Sequence, residues 1–177
     1  MAASQEHERF EVGHPVVHPG QGAGVIAGIV ELSLDGEAQH YYRIELVNGA
    51  GMLLVPVEQA EQIGLRDAIA GAAAIRIVLQ KEPRDLHDDH KARQAGIQNQ
   101  IRSGDPREVA RALRDLAYRE RSDGLTSRDE RLRDEAAEML TGELAVAEGL
   151  TLDVAQARLR EILSTSIDDE SVVETPS

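Results

Sequence analysis

The hydrophobic period of this chain changes at Pro56, which divides it into a strand-rich front and a helical rear. From Phe10 to about Val57, β-branched and aromatic residues recur in short runs: FEVGHPVVHP, GAGVIAGIVELS, HYYRIELV and GMLLVPV. The turn-like pairs Pro19-Gly20, Asp35-Gly36 and Asn48-Gly49 fall between or within them. Strand, turn, strand at this spacing predicts a small twisted barrel. Gly20, Gly22 and Gly24 stand just before a strand rather than between a strand and a helix, so they suit a tight turn or bulge and not a dinucleotide-binding loop.

After Pro56 the stretch VEQAEQIG reads as a short amphipathic turn that Gly64 stops. Asp67 to Gln80 is expected to be a buried helix, with Ile69, Ala73, Ile77 and Gln80 near one face, Ile75, Val78 and Leu79 adding apolar bulk, and Pro83 closing it. Asp105 followed by Pro106 is a helix start, a cap and a first-turn proline, and Val109, Leu113, Leu116 and Ala117 form the stripe behind it. Thr126 with Asp129 resembles a capping box, continued by Leu132, Ala136, Met139 or Leu140, Leu144 and Ala147. Thr151 caps a last helix whose Leu152, Ala155, Leu159, Ile162 and Leu163 face inward. From Ser164 onward the chain is too polar and acidic to order itself.

A length of 177 residues with 41% apolar content can bury one respectable core or two small ones, so two modules are feasible. The absence of cysteine excludes disulfides, thiolate zinc sites and thiol catalysis. No signal-peptide pattern opens the chain and no apolar run is long enough to span a bilayer, so the expectation is a cytoplasmic protein without membrane contact. A formal net charge of −13 argues against non-specific coating of nucleic acid. The charge is uneven, however: Arg76 to Arg121 carries eleven basic against eight acidic residues, and contact with DNA, if made, is made there.

Four strings stand in order along the chain: FEVGHPVVHPGQGAGVI, LLVPVEQAEQIGLRD, SGDPREVARALRDLAYRERSDGLT and LTGELAVAEG. Together they resemble the CarD/CdnL family of bacterial transcription regulators, over roughly residues 10 to 163. The resemblance implies an α+β chain. The expected division is a flexible N-terminus over residues 1–9, a Tudor-like or SH3-like RNA polymerase-interacting domain similar to that of transcription-repair coupling factor over 10–66, a helical domain over 67–165, with possible promoter DNA contact, and a disordered acidic tail over 166–177. In that family the first domain binds the polymerase β subunit. The helical domain meets the upstream edge of the opening promoter bubble, where a tryptophan wedges into the minor groove beside basic residues that hold phosphate.

This sequence departs from that pattern. The wedge position falls on Leu86 and its basic neighbours on Asp88 and Asp89, and the chain contains no tryptophan. Leu32 and Leu54 stand where relatives often carry a basic residue. The expected polymerase-binding residues are Leu32, Arg43, Ile44, Leu54, Val55 and Pro56, at a sheet edge open to strand addition; Ile44, Val55 and Pro56 would equally serve as core. The expected DNA-contacting residues are Leu86, His87, His90, Lys91, Arg93, Arg114 and Arg119, with Arg102, Arg111 and Arg121 in the same basic stretch. Arg111 with Asp115 and Arg107 with Arg111 are i,i+4 neighbours, and an exposed helix laced with ordinary ion pairs explains the same pattern.

Asp85, His87, Asp88, Asp89 and His90 invite a metal reading, but a solvated helix start with aspartates at its N-terminal dipole explains them better. No nucleophile elbow, phosphate loop or partnered base is present, so neither an enzyme nor a cofactor is expected. The expectation is a monomeric regulator of open-complex stability, ribosomal RNA promoters included, with promoter DNA held weakly and only in the polymerase complex. The alternative is an adaptor that binds polymerase or another protein without productive DNA contact.

Overall fold

The computed structural model describes residues 9–34 and 36–168. Five antiparallel strands, β1 (Pro15–His18), β2 (Gly22–Leu34), β3 (Glu37–Leu46), β4 (Met52–Pro56) and β5 (Arg66–Asp67), form one sheet in the order β4-β3-β2-β1-β5. This is the Tudor-like module in front of a helical one, the α+β architecture the sequence predicts. Side chains alternate across β3, so Tyr42, Ile44 and Leu46 turn inward while Arg43 and Glu45 face solvent. Phe10, Val57, Ala60 and Leu65 complete the inner core of the sheet. Gly24 is required here: a Cβ would lie 2.6 Å from the Glu45 carbonyl oxygen and 2.7 Å from Ile44 Cγ2. The bulge lies between Ile26 and Gly28 rather than at the preceding glycines.

A 3₁₀ turn (Val57–Gln59) and the short helix α1 (Ala60–Ile63) end at Gly64, whose φ of 92° is the left-handed stop expected of it. The helical module follows as α2 (Ala72–Leu79), α3 (His90–Arg102), α4 (Pro106–Ser122), α5 (Ser127–Glu148) and α6 (Leu152–Asp168). Asp105 caps α4 by accepting from the Arg107 amide, and Thr126 with Asp129 closes a complete capping box on α5. Val109, Leu113, Leu116, Leu132, Ala136, Leu140, Leu144, Ala155, Leu159 and Ile162 all enter one core.

Three expectations need correction. The helix expected from Asp67 starts at Ala72, because Arg66 and Asp67 pair with Val17 and Val16 as β5. Its buried face is Ile75, Val78 and Leu79, whereas Ala73 and Gln80 are exposed and Ile77 is 63% exposed. The i, i+3, i+4 set carries more apolar bulk than the i, i+4, i+8 set and takes the core. Leu152 lies at the surface and not inside. The last helix runs past Ser164 to Asp168 with Ser166 buried, because its hydroxyl is satisfied by the Ile162 carbonyl; residues 169–177 lie outside the described ones.

The two modules meet where α5 crosses the sheet. Val17, Ala23 and Val146 pack together there, and a Cβ on Gly142 would sit 3.6 Å from Val47 Cγ1 and 3.7 Å from Ala23 Cβ. Beside this contact the Arg66 guanidinium holds both carboxylate oxygens of Glu143, at 2.7 and 3.0 Å, and donates to the Gly104 carbonyl at 2.7 Å. Glu143 also accepts from the Ile69 amide at 2.7 Å. Asp67, the next residue of β5, turns back to the sheet module, where His14 Nε2 lies 2.6 Å and Arg9 3.1 Å from its carboxylate.

Removing Arg66 leaves a carboxylate only 5% exposed with a single backbone donor. Arg66→Ala is therefore expected to cost about 3 kcal/mol in urea unfolding, the low end for a broken buried pair because Arg66 is itself partly solvated. Arg66→Lys should recover only part of this, since an ammonium cannot reproduce the two-pronged geometry.

Candidate functional site

β4 pairs with β3 alone, so its other edge has no strand partner among the described residues. Arg43 lies opposite Leu54, and Tyr41 opposite Pro56. Residues of one parity share a face, so Leu54, Met52 and Arg43 point outward together with Leu32 from β2. Exposure is 54% for Met52, 45% for Leu54 and 37% for Leu32, three apolar side chains the fold leaves in water. The Arg43 guanidinium donates to the Ala27 carbonyl at 3.3 Å and lies over Gly28, where any Cβ would stand 3.3 Å from it. Ile44 and Val55, 1% and 2% exposed, belong to the inner core, so their side chains are not part of this surface. Pro56 is half-buried. Met52 was not among the expected residues; its parity with Leu54 in GMLLVPV is the signal that finds it.

The expected DNA-facing residues divide differently. Leu86 is half-buried and packs against the helical core rather than projecting as a wedge. His87, Asp88, Asp89, His90 and Lys91 are exposed. Asp89 caps α3 by accepting from the Ala92 amide at 2.8 Å, and that backbone hydrogen bond holds its carboxyl below the usual range. No group of three or more His, Asp and Glu side chains able to hold a metal ion is assembled among the described residues.

Arg93 and Arg114 do not face solvent. Arg93 is 4% exposed, pairs with Asp129 at 2.9 Å, and donates to the His87 and Asp88 carbonyls at 2.7 and 3.1 Å. Arg114, also 4% exposed, holds Asp115 at 2.6 Å and the Val78 carbonyl at 3.2 Å. Asp115 in turn accepts from the Arg84 amide and guanidinium at 3.2 and 3.1 Å. Both arginines thus anchor from inside the segment between α2 and α3, the segment that carries Leu86, Asp88 and Asp89. Arg111 pairs with Glu108 rather than Asp115, whose carboxylate is turned inward. Arg119 is the intermediate case, with Asp88 at 3.9 Å and Asp123 at 3.4 Å, and its Nε is buried without a hydrogen-bond partner among the described residues. Lys91, Arg102 and Arg107 remain at the surface.

Burial pushes the Asp129 carboxyl up, but hydrogen bonds from Arg93 and Thr126 outweigh it and bring its pKa down to about 2. A folded pKa below the unfolded one makes a contribution that is complete above about pH 4 and is lost as pH falls through about 2, worth about 2 kcal/mol at neutral pH. Asp129→Asn, which keeps a capping oxygen, should therefore melt well below the native chain at pH 6, and the gap should close as both are titrated toward pH 2. Amide exchange at His87 to Asp89 should accelerate in the variant.

Comparison with known proteins follows the same division. Residues 10–69 match the CarD-like/TRCF RID domain, and residues 74–160 match the CarD C-terminal domain. The Bacillus subtilis (strain 168) protein YdeB, named as a candidate transcription factor, is 28% identical over 144 residues, covering 80% of this chain and 94% of YdeB. With both domain matches in order, and joined in the structure through Arg66 and Glu143, this chain belongs to the CarD family.

Proposed function

We propose that the chain is a non-catalytic transcription regulator that binds the β subunit of bacterial RNA polymerase along β4 and modulates open-complex stability at promoters. The observation that carries this reading is the free β4 edge beside an outward face of Leu32, Arg43, Met52 and Leu54. An added strand would gain backbone hydrogen bonds from the edge, while Leu54 and Arg43 would select its side chains. Pro56 borders the surface, and Ile44 and Val55 support it from the core. The family match to the domain shared with transcription-repair coupling factor supports RNA polymerase as the partner.

A second reading, an adaptor that holds polymerase or another protein without productive DNA contact, is favoured by a specific observation in the helical module. Two of the basic side chains that would meet phosphate, Arg93 and Arg114, are engaged inside, and Leu86 is packed against the core. Of the expected DNA-contacting residues, His87, His90, Lys91 and Arg119 remain available for promoter contact. Asp88 stands among them fully in solvent and opposes phosphate.

Leu54→Asp combined with Arg43→Glu is expected to weaken binding to RNA polymerase holoenzyme by at least about tenfold with little change in melting temperature, because both positions are exposed. Ile44→Asp should instead unfold the sheet module. Unchanged polymerase affinity in the double variant would sink the β4 reading. In a promoter-opening assay run across a salt series, Lys91→Glu should reduce open-complex lifetime if the DNA contact operates. A lifetime indifferent to both salt and Lys91 leaves the adaptor.

A further inference from the structure

The modules leave between them a crevice of about 1230 Å³, lined from the sheet, α4, α5 and the start of α6. This exceeds the range of roughly 300 to 1,000 Å³ typical of small-molecule pockets. Its apolar lining includes Ala23, Val47, Ala137, Met139 and Leu152. Leu152 has the sequence pattern of a core residue, yet 36% of it is exposed, at this crevice. The fold itself leaves that surface uncovered.

Charge in the crevice is one-sided. Five carboxylates line it against one arginine, and that arginine, Arg66, is already held by Glu143. No lysine contributes. Asp105 is engaged as a helix cap and Asp134 is paired with Arg133. Glu138 and Asp153 are exposed and make no hydrogen bond or ion pair among the described residues. His18 accepts from the Gly20 amide through Nδ1, and burial lowers its pKa, so it adds no cation at neutral pH.

We infer that this crevice is a docking groove for a basic amphipathic segment of a partner protein, with apolar side chains seated on Val47, Met139 and Leu152 and Lys or Arg side chains meeting Glu138 and Asp153. Phosphate would be repelled by the same carboxylates, which selects against nucleic acid. A segment bound there touches both modules beside the Arg66–Glu143 junction. The groove is separate from the β4 face and does not depend on the polymerase reading.

The test uses the full chain and a fluorescein-labelled peptide of Leu-Lys-Lys-Leu repeats, read by anisotropy. The peptide should bind the native chain and lose at least about tenfold in affinity to Glu138→Lys combined with Asp153→Lys, and similarly to Leu152→Asp. Glu37→Lys with Glu58→Lys, the same charge change at exposed positions of the sheet module, should leave affinity within about twofold. Should a reversal variant fail to fold, Glu138→Gln with Asp153→Asn removes the charges alone and should weaken binding several-fold. Native-state hydrogen exchange should show protection on peptide binding in residues 134–142 and 152–156. Absence of binding, or equal losses in the rim and control variants, would each overturn the proposal.

Discussion

A carboxylate shut away from water must be matched by donors, and Glu143 obtains two of its donors from the sheet module. Arg66 supplies both and the Ile69 amide a third, while the same guanidinium reaches the Gly104 carbonyl ahead of α4. Arg66 and Asp67 are adjacent in a strand, so their side chains leave on opposite sides. One engages the helical module and the other returns to His14 and Arg9. A strand of two residues thereby ties both modules, and the small apolar contact around Val17, Ala23 and Val146 is held at the spacing Gly142 allows.

The same rule governs the helical module, with the roles reversed. Arg93 and Arg114 are buried cations, and each is compensated by a buried aspartate and by backbone carbonyls. Those carbonyls belong to the segment linking α2 to α3 and to the end of α2, so pairing the charges also fixes the path of an otherwise irregular stretch. Glu148 acts similarly at the start of α2, where Gly71 offers no capping side chain and the Ala72 amide instead donates to the Glu148 carboxylate at 2.6 Å. In each case a long-range polar contact does what a local cap or turn residue does elsewhere.

This explains which parts were legible in the sequence. Caps and stripes are local: Asp105 with Pro106, Thr126 with Asp129, and the i, i+4, i+7 spacing behind Asp105 identify α4 and α5 because the residues that decide them are neighbours. The two-residue β5 has no period to detect, so Asp67 reads as the start of the helix that follows it. In GMLLVPV successive apolar residues hide the parity that puts Leu54 outside and Val55 inside. The buried arginines were hidden for a different reason. Counting charge from Arg76 to Arg121 includes Arg93 but omits Asp129, its partner 36 positions away. A cation with a buried counter-ion contributes little field at the surface, so the basic excess of that stretch overstates what DNA would meet.

On the proposed reading, that loss need not abolish an effect at promoters. A chain of net charge −13 gains little from counterion release when it meets DNA alone. Binding to polymerase changes the reference state, because a tethered contact is intramolecular and operates at an effective concentration that can reach the millimolar range. Lys91, His87 and His90 would then contribute only what the complex fails to provide by itself. Their position is set by the segment that Arg93 anchors and, through α5, by the Arg66–Glu143 junction. The sheet edge would supply the affinity, and the junction would decide whether so weak a contact falls on the DNA at all.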